Sequence, residues 1–212
     1  MVLKLHYFAL PGRAEVTRLC LTIGGIPFED VHYTQETYPA FKAKTPFGQV
    51  PVLELEDGKM LAQSGAIDRY VAKLAGLYPE DPLDAAHADQ AVFLLTDLMD
   101  LFGPTWSLPL EEKVKAREAI MAGKGKEKMG YLAKLVAGGS YVAGGKLSFA
   151  DLGVYAVLSS LTSGQYDGVS KTCLDEFPDL KAFRNKIASE PAVKAYYDKH
   201  AEGIRAAFKP DA

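Results

Sequence analysis

The sequence predicts an α/β + all-α protein, a small mixed domain followed by a larger, wholly helical one. Three observations predict it. Strand alternation and helical periodicity interleave over the first 75 residues. A stretch with two prolines and three acids, GLYPEDPLD (76–84), interrupts them. Beyond it almost every apolar run keeps a helical period. The expected domains are residues 1–76 and 83–212.

In the first domain, Leu3, Leu5 and Tyr7 alternate as a half-buried strand does. A loop with Pro11 and Gly12 follows, and a helix is expected from Arg13. Val16, Leu19, Cys20 and Ile23 recur at i, i+3, i+4 and i+7, and Gly24-Gly25 stops that helix. PFEDVHY (27–33) reads as a second strand, followed by a polar, irregular stretch to Pro46. QVPVLEL (49–55) and KMLAQ (59–63) flank Glu56-Asp57-Gly58, and Asp-Gly is a strong hairpin turn. Ile67, Tyr70, Val71 and Leu74 give a further helical stripe. In the second domain Ala91, Leu94, Leu95, Leu98 and Phe102 hold one helical face. LSFADLGVYAVLSSL (147–161) is apolar nearly all round, the mark of a helix buried in a core. It opens on Ser148-Phe149-Ala150-Asp151, a capping box worth on the order of 1 kcal/mol.

Composition excludes several classes. The 212 residues are 48% hydrophobic and 24% charged, with a net charge of −3, so no basic stripe marks a nucleic-acid partner. No apolar run reaches the roughly 18 residues of a membrane span. The start, Met1-Val2-Leu3-Lys4, lacks the features of a signal peptide. Cys20 and Cys173 form no C-x-x-C, which fits a reducing, cytoplasmic setting. The four histidines have no metal-ligand spacing, so no metal is expected.

Three stretches carry chemistry. LHYFALPGRAE (5–15) ends a strand on a phenol with an arginine six residues on. FGQVPVLE (47–54) puts a proline inside a strand. That is either a tolerated edge position or, with a cis Val50–Pro51 bond, a backbone open to an added extended peptide. LAQSGAIDRY (61–70) sets Gln63-Ser64 at a strand-to-helix junction. Helix N-termini hold carboxylates, although alone Ser64 reads first as an N-cap.

In combination and in order, Tyr7-Phe8, GRAE (12–15), FGQVPVLE, QSGAIDRY (63–70) and SFADL (148–152) resemble the cytosolic glutathione transferases. The likeness spans the chain. It is greatest to the sigma class, which includes the glutathione-dependent prostaglandin D synthases. The resemblance implies a thioredoxin-like first domain, an all-helical second domain, glutathione as co-substrate and a homodimer. It implies that Tyr7 donates a hydrogen bond to the glutathione sulfur, with Arg13 supporting it electrostatically. Val50, held by Pro51, pairs with the cysteinyl backbone, Gln63 and Ser64 take the γ-glutamyl carboxylate, and Gln49 and Lys42 meet the glycyl end. Tyr38 stands where relatives often carry tryptophan and keeps a hydroxyl to donate. Asp97, with Asp100 as runner-up, reaches the partner's glutathione. Phe47 docks into the neighbouring subunit. Phe8, Leu10, Trp106 and Tyr155 line the site for a hydrophobic electrophile.

The implied activities are glutathione conjugation, reduction of organic hydroperoxides and prostaglandin isomerisation. Prostaglandin synthases of the class often carry adjacent acids where this chain has Thr96-Asp97, which counts against the last. A non-catalytic carrier or structural protein is the competing class, and retention of Tyr7, Arg13, Gln63 and Ser64 argues against it. A thioredoxin-type oxidoreductase would want a reactive cysteine near residue 7. Cys20 lies instead on an apolar helix face.

Overall fold

The computed structural model describes residues 2–200 and 202–211. They form two compact units that divide between Tyr78 and Pro79.

The first unit runs β1 (Leu3–Phe8), a 3-10 turn (Gly12–Ala14), α1 (Glu15–Ile23), β2 (Phe28–Tyr33), α2 (Tyr38–Lys42), β3 (Val52–Glu54), β4 (Met60–Ala62) and α3 (Ser64–Leu74). The sheet order is β2-β1-β3-β4. β2 is parallel to β1, while β3 and β4 pair antiparallel. The predicted order β-α-β then β-β-α is found, with four departures. β1 is more than half-buried, because it is central and parallel-paired, so His6 is inside as well as Leu5 and Tyr7. The His6 ring is satisfied there by the Tyr33 hydroxyl at 2.9 Å and by Glu54 at 3.1 Å. Burial lowers its pKa against the pull of Glu54. The helix expected from Arg13 starts as a 3-10 turn and becomes α-helical only at Glu15. The strand expected over 49–55 pairs only over Val52–Glu54, since Pro51 has no N–H to give the ladder. The irregular stretch before Pro46 contains α2.

α1 packs on α3 through fully buried Leu19, Cys20, Ile67 and Val71. One polar pair sits in this seam. Thr17 Oγ1 donates to Asp68 Oδ1 at 2.5 Å. Burial pushes the Asp68 carboxyl up to about 7, against the lowering effects of that bond and of the Arg69 charge. A proton that the native state holds up to about pH 7, and the unfolded chain releases near pH 4, stabilises the fold below that window. Stability is lost as pH rises through it, by up to about 1.4 kcal/mol per pH unit. Asp68→Asn keeps an acceptor for Thr17 and removes the titration. The difference in melting temperature between Asp68→Asn and wild type is therefore expected to grow from pH 5 to pH 8. Thermal scans at four pH values check this, and parallel curves would refute it.

Every regular element among the described residues of the second unit is helical: α4 (Pro82–Asp100), α5 (Leu110–Ala122), α6 (Lys124–Leu135), α7 (Phe149–Thr162), α8 (Pro178–Ala188) and α9 (Pro191–Lys199), with short 3-10 turns and longer loops between and after them. The end of the expected linker is the start of α4. Asp81 caps it, accepting from the N–H groups of Leu83 and Asp84 at 2.9 and 3.0 Å. α7 is the apolar helix at 147–161 and is the axis of this unit, packing on α4 and α8. Its Gly153 lets α4 approach closely, since a Cβ there would lie 3.3 Å from Leu95. The capping box forms as the sequence predicts. Asp151 accepts from the Ser148 N–H at 2.7 Å and also from the Val142 N–H at 2.7 Å, tying the preceding loop to the helix start.

Candidate active site

Strand register assembles the first part of the site. His6 pairs with Val52, and Val52 with Ala62. One step further along the three strands stand Tyr7, Pro51 and Gln63, at the same end of the sheet. The Val50–Pro51 bond is cis, with Pro51 buried and Val50 partly exposed. Gln63 caps α3 with φ +72°, the only positive φ outside glycine among the described residues. Such a backbone costs on the order of 1–3 kcal/mol and is kept where the surroundings enforce it. Ser64 is the first residue of the helix and not its cap, a correction to the simplest reading of the sequence. Helical geometry leaves the amides of Ser64 and Gly65 without an intrahelical acceptor, a ready site for an anion.

Tyr7 is 8% exposed. Its hydroxyl oxygen accepts the backbone N–H of Arg13 at 3.2 Å. A phenol has one proton and two lone pairs. With a lone pair occupied by that amide, the proton remains available to a ligand. Burial raises the Tyr7 pKa from its ordinary value, while the Arg13 amide and the charges of Arg13 and Arg18 oppose the rise. Tyr7 is thus a neutral donor at working pH and not a base. The close approach of the loop needs Gly12. It has φ +47°, and a Cβ there would lie 2.6 Å from the Tyr7 hydroxyl and 2.8 Å from Leu10 Cδ1.

Around this centre Phe8 packs edge-on against Tyr7 and Tyr38, with ring centroids 5.6 and 5.3 Å apart. Leu10 is 37% exposed. Tyr38 donates its hydroxyl proton to the Gly48 carbonyl at 2.9 Å, so here it braces the loop that carries Gln49 and has only lone pairs left for a ligand. The hydroxyl proton that the resemblance assigns to glutathione is engaged by Gly48 in this structure. A Cβ at Gly48 would lie 3.6 Å from Cε of exposed Lys42, which places that lysine near the loop that carries Gln49. Phe47 is 64% exposed. A recess of about 490 Å³ lies at the other end of β1, lined by Val2, Ile26, Tyr70 and Leu74 among others, and contains none of these residues.

The remaining candidates belong to the second unit. Asp97 projects from α4 and pairs with Lys128 at 3.0 Å. Trp106 is 53% exposed, with the buried Arg117 guanidinium 4.5 Å from its ring centroid. Tyr155 is a correction. It is fully buried, its hydroxyl donates to the Phe208 carbonyl, and its ring packs edge-on with Tyr197 and Phe208. An aromatic inside a helix buried on all sides is core, not a wall open to substrate. Among the described residues, no group of three or more His, Cys, Asp or Glu is arranged to hold a metal. No helix there is long and apolar enough to cross a membrane.

Sequence reasoning missed Arg18. It lies fully buried within α1 and contacts Glu15, Asp30, the Phe8 carbonyl at the end of β1 and the Leu10 and Pro11 carbonyls of the loop after it. Glu15 and Arg18 stand at i, i+3, a spacing equally common on exposed helix faces, so the local sequence did not single the arginine out.

A four-stranded mixed sheet with its helices, followed by a helical unit, is the architecture of the glutathione transferases, and comparison with known proteins agrees. Residues 3–73 match the family described as "Glutathione S-transferase, N-terminal domain", and residues 99–200 match "Glutathione S-transferase, C-terminal domain". The chain belongs to the glutathione S-transferase family, whose co-substrate is glutathione, and it is a glutathione transferase. It is 34% identical over 196 residues to hematopoietic prostaglandin D synthase of Gallus gallus, covering 92% of this chain and 95% of that one. It is 32% identical over 202 residues to probable glutathione S-transferase 7 of Caenorhabditis elegans, covering 92% and 95%. The solved sigma class GST of Fasciola hepatica superposes with a TM-score of 0.83 at 27% identity, covering 96% and 98%.

Proposed function

We propose that Tyr7 activates bound glutathione as its thiolate for attack on hydrophobic electrophiles, with residues 1–76 holding the tripeptide and residues 83–212 contributing the hydrophobic substrate site. The observation that carries this is the Tyr7 hydroxyl, buried, accepting from Arg13 and keeping its proton to donate. A free thiol has a pKa near 8.5, so only a few per cent is thiolate at neutral pH. A donor in a dry site favours the anion, and the Arg13 charge adds to it. Val50 offers its backbone to the cysteinyl residue, Gln63, Ser64 and the α3 amides take the γ-glutamyl carboxylate, and Gln49 and Lys42 meet the glycyl carboxylate. Phe8, Leu10 and Trp106 give the second substrate apolar contact. No metal is required for any of these steps.

Assays of the purified protein with glutathione and an aryl halide, an organic hydroperoxide and prostaglandin H2 test the reading. Conjugation with the aryl halide is the expected result. Tight glutathione binding without any of the three activities would favour a carrier. Prostaglandin isomerisation is a second reading, supported by the name of the Gallus gallus relative. Thr96-Asp97 in place of paired acids weighs against it.

The protein acts as a cytoplasmic homodimer in this reading. Exposed Phe47 suits a neighbouring subunit. Asp97 would have to exchange Lys128 for the partner's glutamyl amine, and an exposed ion pair is worth only about 0–1 kcal/mol. Asp97→Ala is then expected to raise KM for glutathione by about three- to tenfold, the equivalent of about 0.7–1.4 kcal/mol, with the acidity of the bound thiol unchanged. Sedimentation showing a monomer at micromolar concentration with full glutathione affinity would remove the dimer.

A further inference from the structure

We infer that Arg18 is a positioning residue for the thiol-activating step: it folds the loop Phe8–Pro11 inward so that the Arg13 amide meets the Tyr7 hydroxyl and leaves the phenol proton for sulfur. This deepens the proposed role of Tyr7 and rests on it.

Arg18 has five N–H groups in a rigid fork, and every nitrogen is engaged. Nε donates to Asp30 Oδ2 at 2.7 Å. Nη1 meets the Leu10 carbonyl at 2.9 Å, the Pro11 carbonyl at 3.2 Å and Glu15 Oε2 at 3.0 Å. Nη2 meets the Phe8 carbonyl at 3.2 Å and Asp30 Oδ1 at 3.3 Å. The side chain has no exposure, and neither has that of Glu15. The carbonyl of Phe8 at the end of β1 and those of Leu10 and Pro11 in the loop after it therefore converge on one guanidinium. Surface loops ordinarily turn their polar groups to water. Here the turned-in carbonyls set the peptide planes that lead into Gly12 and Arg13.

The consequence reaches Tyr7 by two routes. The loop ends on the Arg13 N–H that occupies a lone pair of the phenol oxygen. The Arg18 guanidinium also lies 5.8 Å from the Tyr7 ring centroid, where its charge favours a more acidic phenol and hence a stronger donor. The carboxylates of Glu15 and Asp30 hold the fork in place, and Asp30 brings β2 into the same network. No other residue type supplies this pattern. Lysine has the charge but three donors on a flexible stem.

The test is Arg18→Lys, read by titrating the absorbance of the bound thiolate and by the pH profile of kcat/KM. The bound thiol's pKa is expected to rise by about one unit, so that kcat/KM at pH 6.5 falls about tenfold. KM for glutathione should change less than about threefold, because the residues that hold the tripeptide's ends lie on other elements (tenfold is about 1.4 kcal/mol). In a Tyr7→Phe background, Arg18→Lys should shift the thiol no further, since the group it positions is gone. A merely structural arginine would lower stability and leave the pH profile in place. Superimposed pH profiles of wild type and Arg18→Lys, or equal shifts in both backgrounds, would overturn the inference and leave the role of Tyr7 standing. A wild-type complex with no thiolate below the free thiol's pKa would overturn both. If Arg18→Lys does not melt cooperatively, Asp30→Asn decides by the same titration. It weakens one anchor of the fork, and an upward shift of the thiol's pKa supports the role while no shift overturns it.

Discussion

Tyr7→Phe is expected to lower glutathione conjugation at neutral pH by about ten- to a hundredfold while barely changing stability or glutathione binding. The substitution deletes one oxygen and leaves the buried ring with its contact to Phe8. The bond lost is one to a charged sulfur, worth roughly 1.5–3 kcal/mol, and about 1.4 kcal/mol is a factor of ten in rate. The Arg13 amide loses its acceptor, but the bond is only part-buried, which limits that cost. The pH dependence has a definite sign. Burial raises the Tyr7 pKa from its ordinary value, which favours the protonated phenol and leaves the thiol as the ionisation expected in kcat/KM. In wild type that ionisation falls below the free thiol's pKa, and in Tyr7→Phe it returns to about 8.5. The deficit is therefore largest near pH 6 and shrinks as pH approaches 9, where solution supplies the thiolate unaided. Titrating the bound thiol in both proteins checks this. Equal pKa values would reduce Tyr7 to an ordinary strand residue.

The parts of this molecule that follow local rules were legible in the sequence. The alternation of Leu3, Leu5 and Tyr7, the stop at Gly24, the Asp57-Gly58 turn and the Ser148–Asp151 box each depend on neighbours a few residues away. Their physical signals are short-ranged for that reason. What stayed hidden depends on pairing over distance. His6 is buried because Phe41 of α2 stacks on its ring at 4.5 Å and the neighbouring strand β3 brings Glu54 to it. Arg18 is interior because Asp30, twelve residues on, comes beside it through the parallel pairing of β2. A periodicity count sees only a charged residue on a helix. Tyr155 was misread for the converse reason. In a helix that is apolar on every face, no periodicity distinguishes the side turned to a cleft from the side turned to Phe208. The Gln63 backbone gives no compositional sign either, since glutamine is not a residue that favours positive φ.

Gly12→Ala is expected to damage both stability and catalysis, and the two losses have a common cause at the Tyr7 oxygen. The backbone at Gly12 sits at φ +47°, where a side chain costs roughly 1–2 kcal/mol. The added methyl would lie 2.6 Å from the Tyr7 hydroxyl, 2.9 Å from its ring carbon and 2.8 Å from Leu10 Cδ1. Leu10 is partly exposed and can swing aside. The Tyr7 ring is buried on its strand, with the Arg18 guanidinium 5.8 Å from its centroid, so relief comes by moving the loop or the hydroxyl. Either movement separates Tyr7 from the Arg13 amide and from the position that sulfur would take. Total destabilisation of about 2–4 kcal/mol is expected from backbone strain and overpacking together. Conjugation at neutral pH should fall by on the order of tenfold or more, since about 1.4 kcal/mol of lost transition-state stabilisation suffices. The discriminating measurement is the same substitution made on Tyr7→Phe. With the hydroxyl gone the shortest contact is gone, and Gly12→Ala should cost measurably less stability there than in wild type. Contacting residues typically couple by about 0.5–3 kcal/mol. Denaturant unfolding of the four proteins yields the coupling directly. Strict additivity would mean that the methyl meets something other than the phenol oxygen, and that glycine stands at position 12 for its backbone alone.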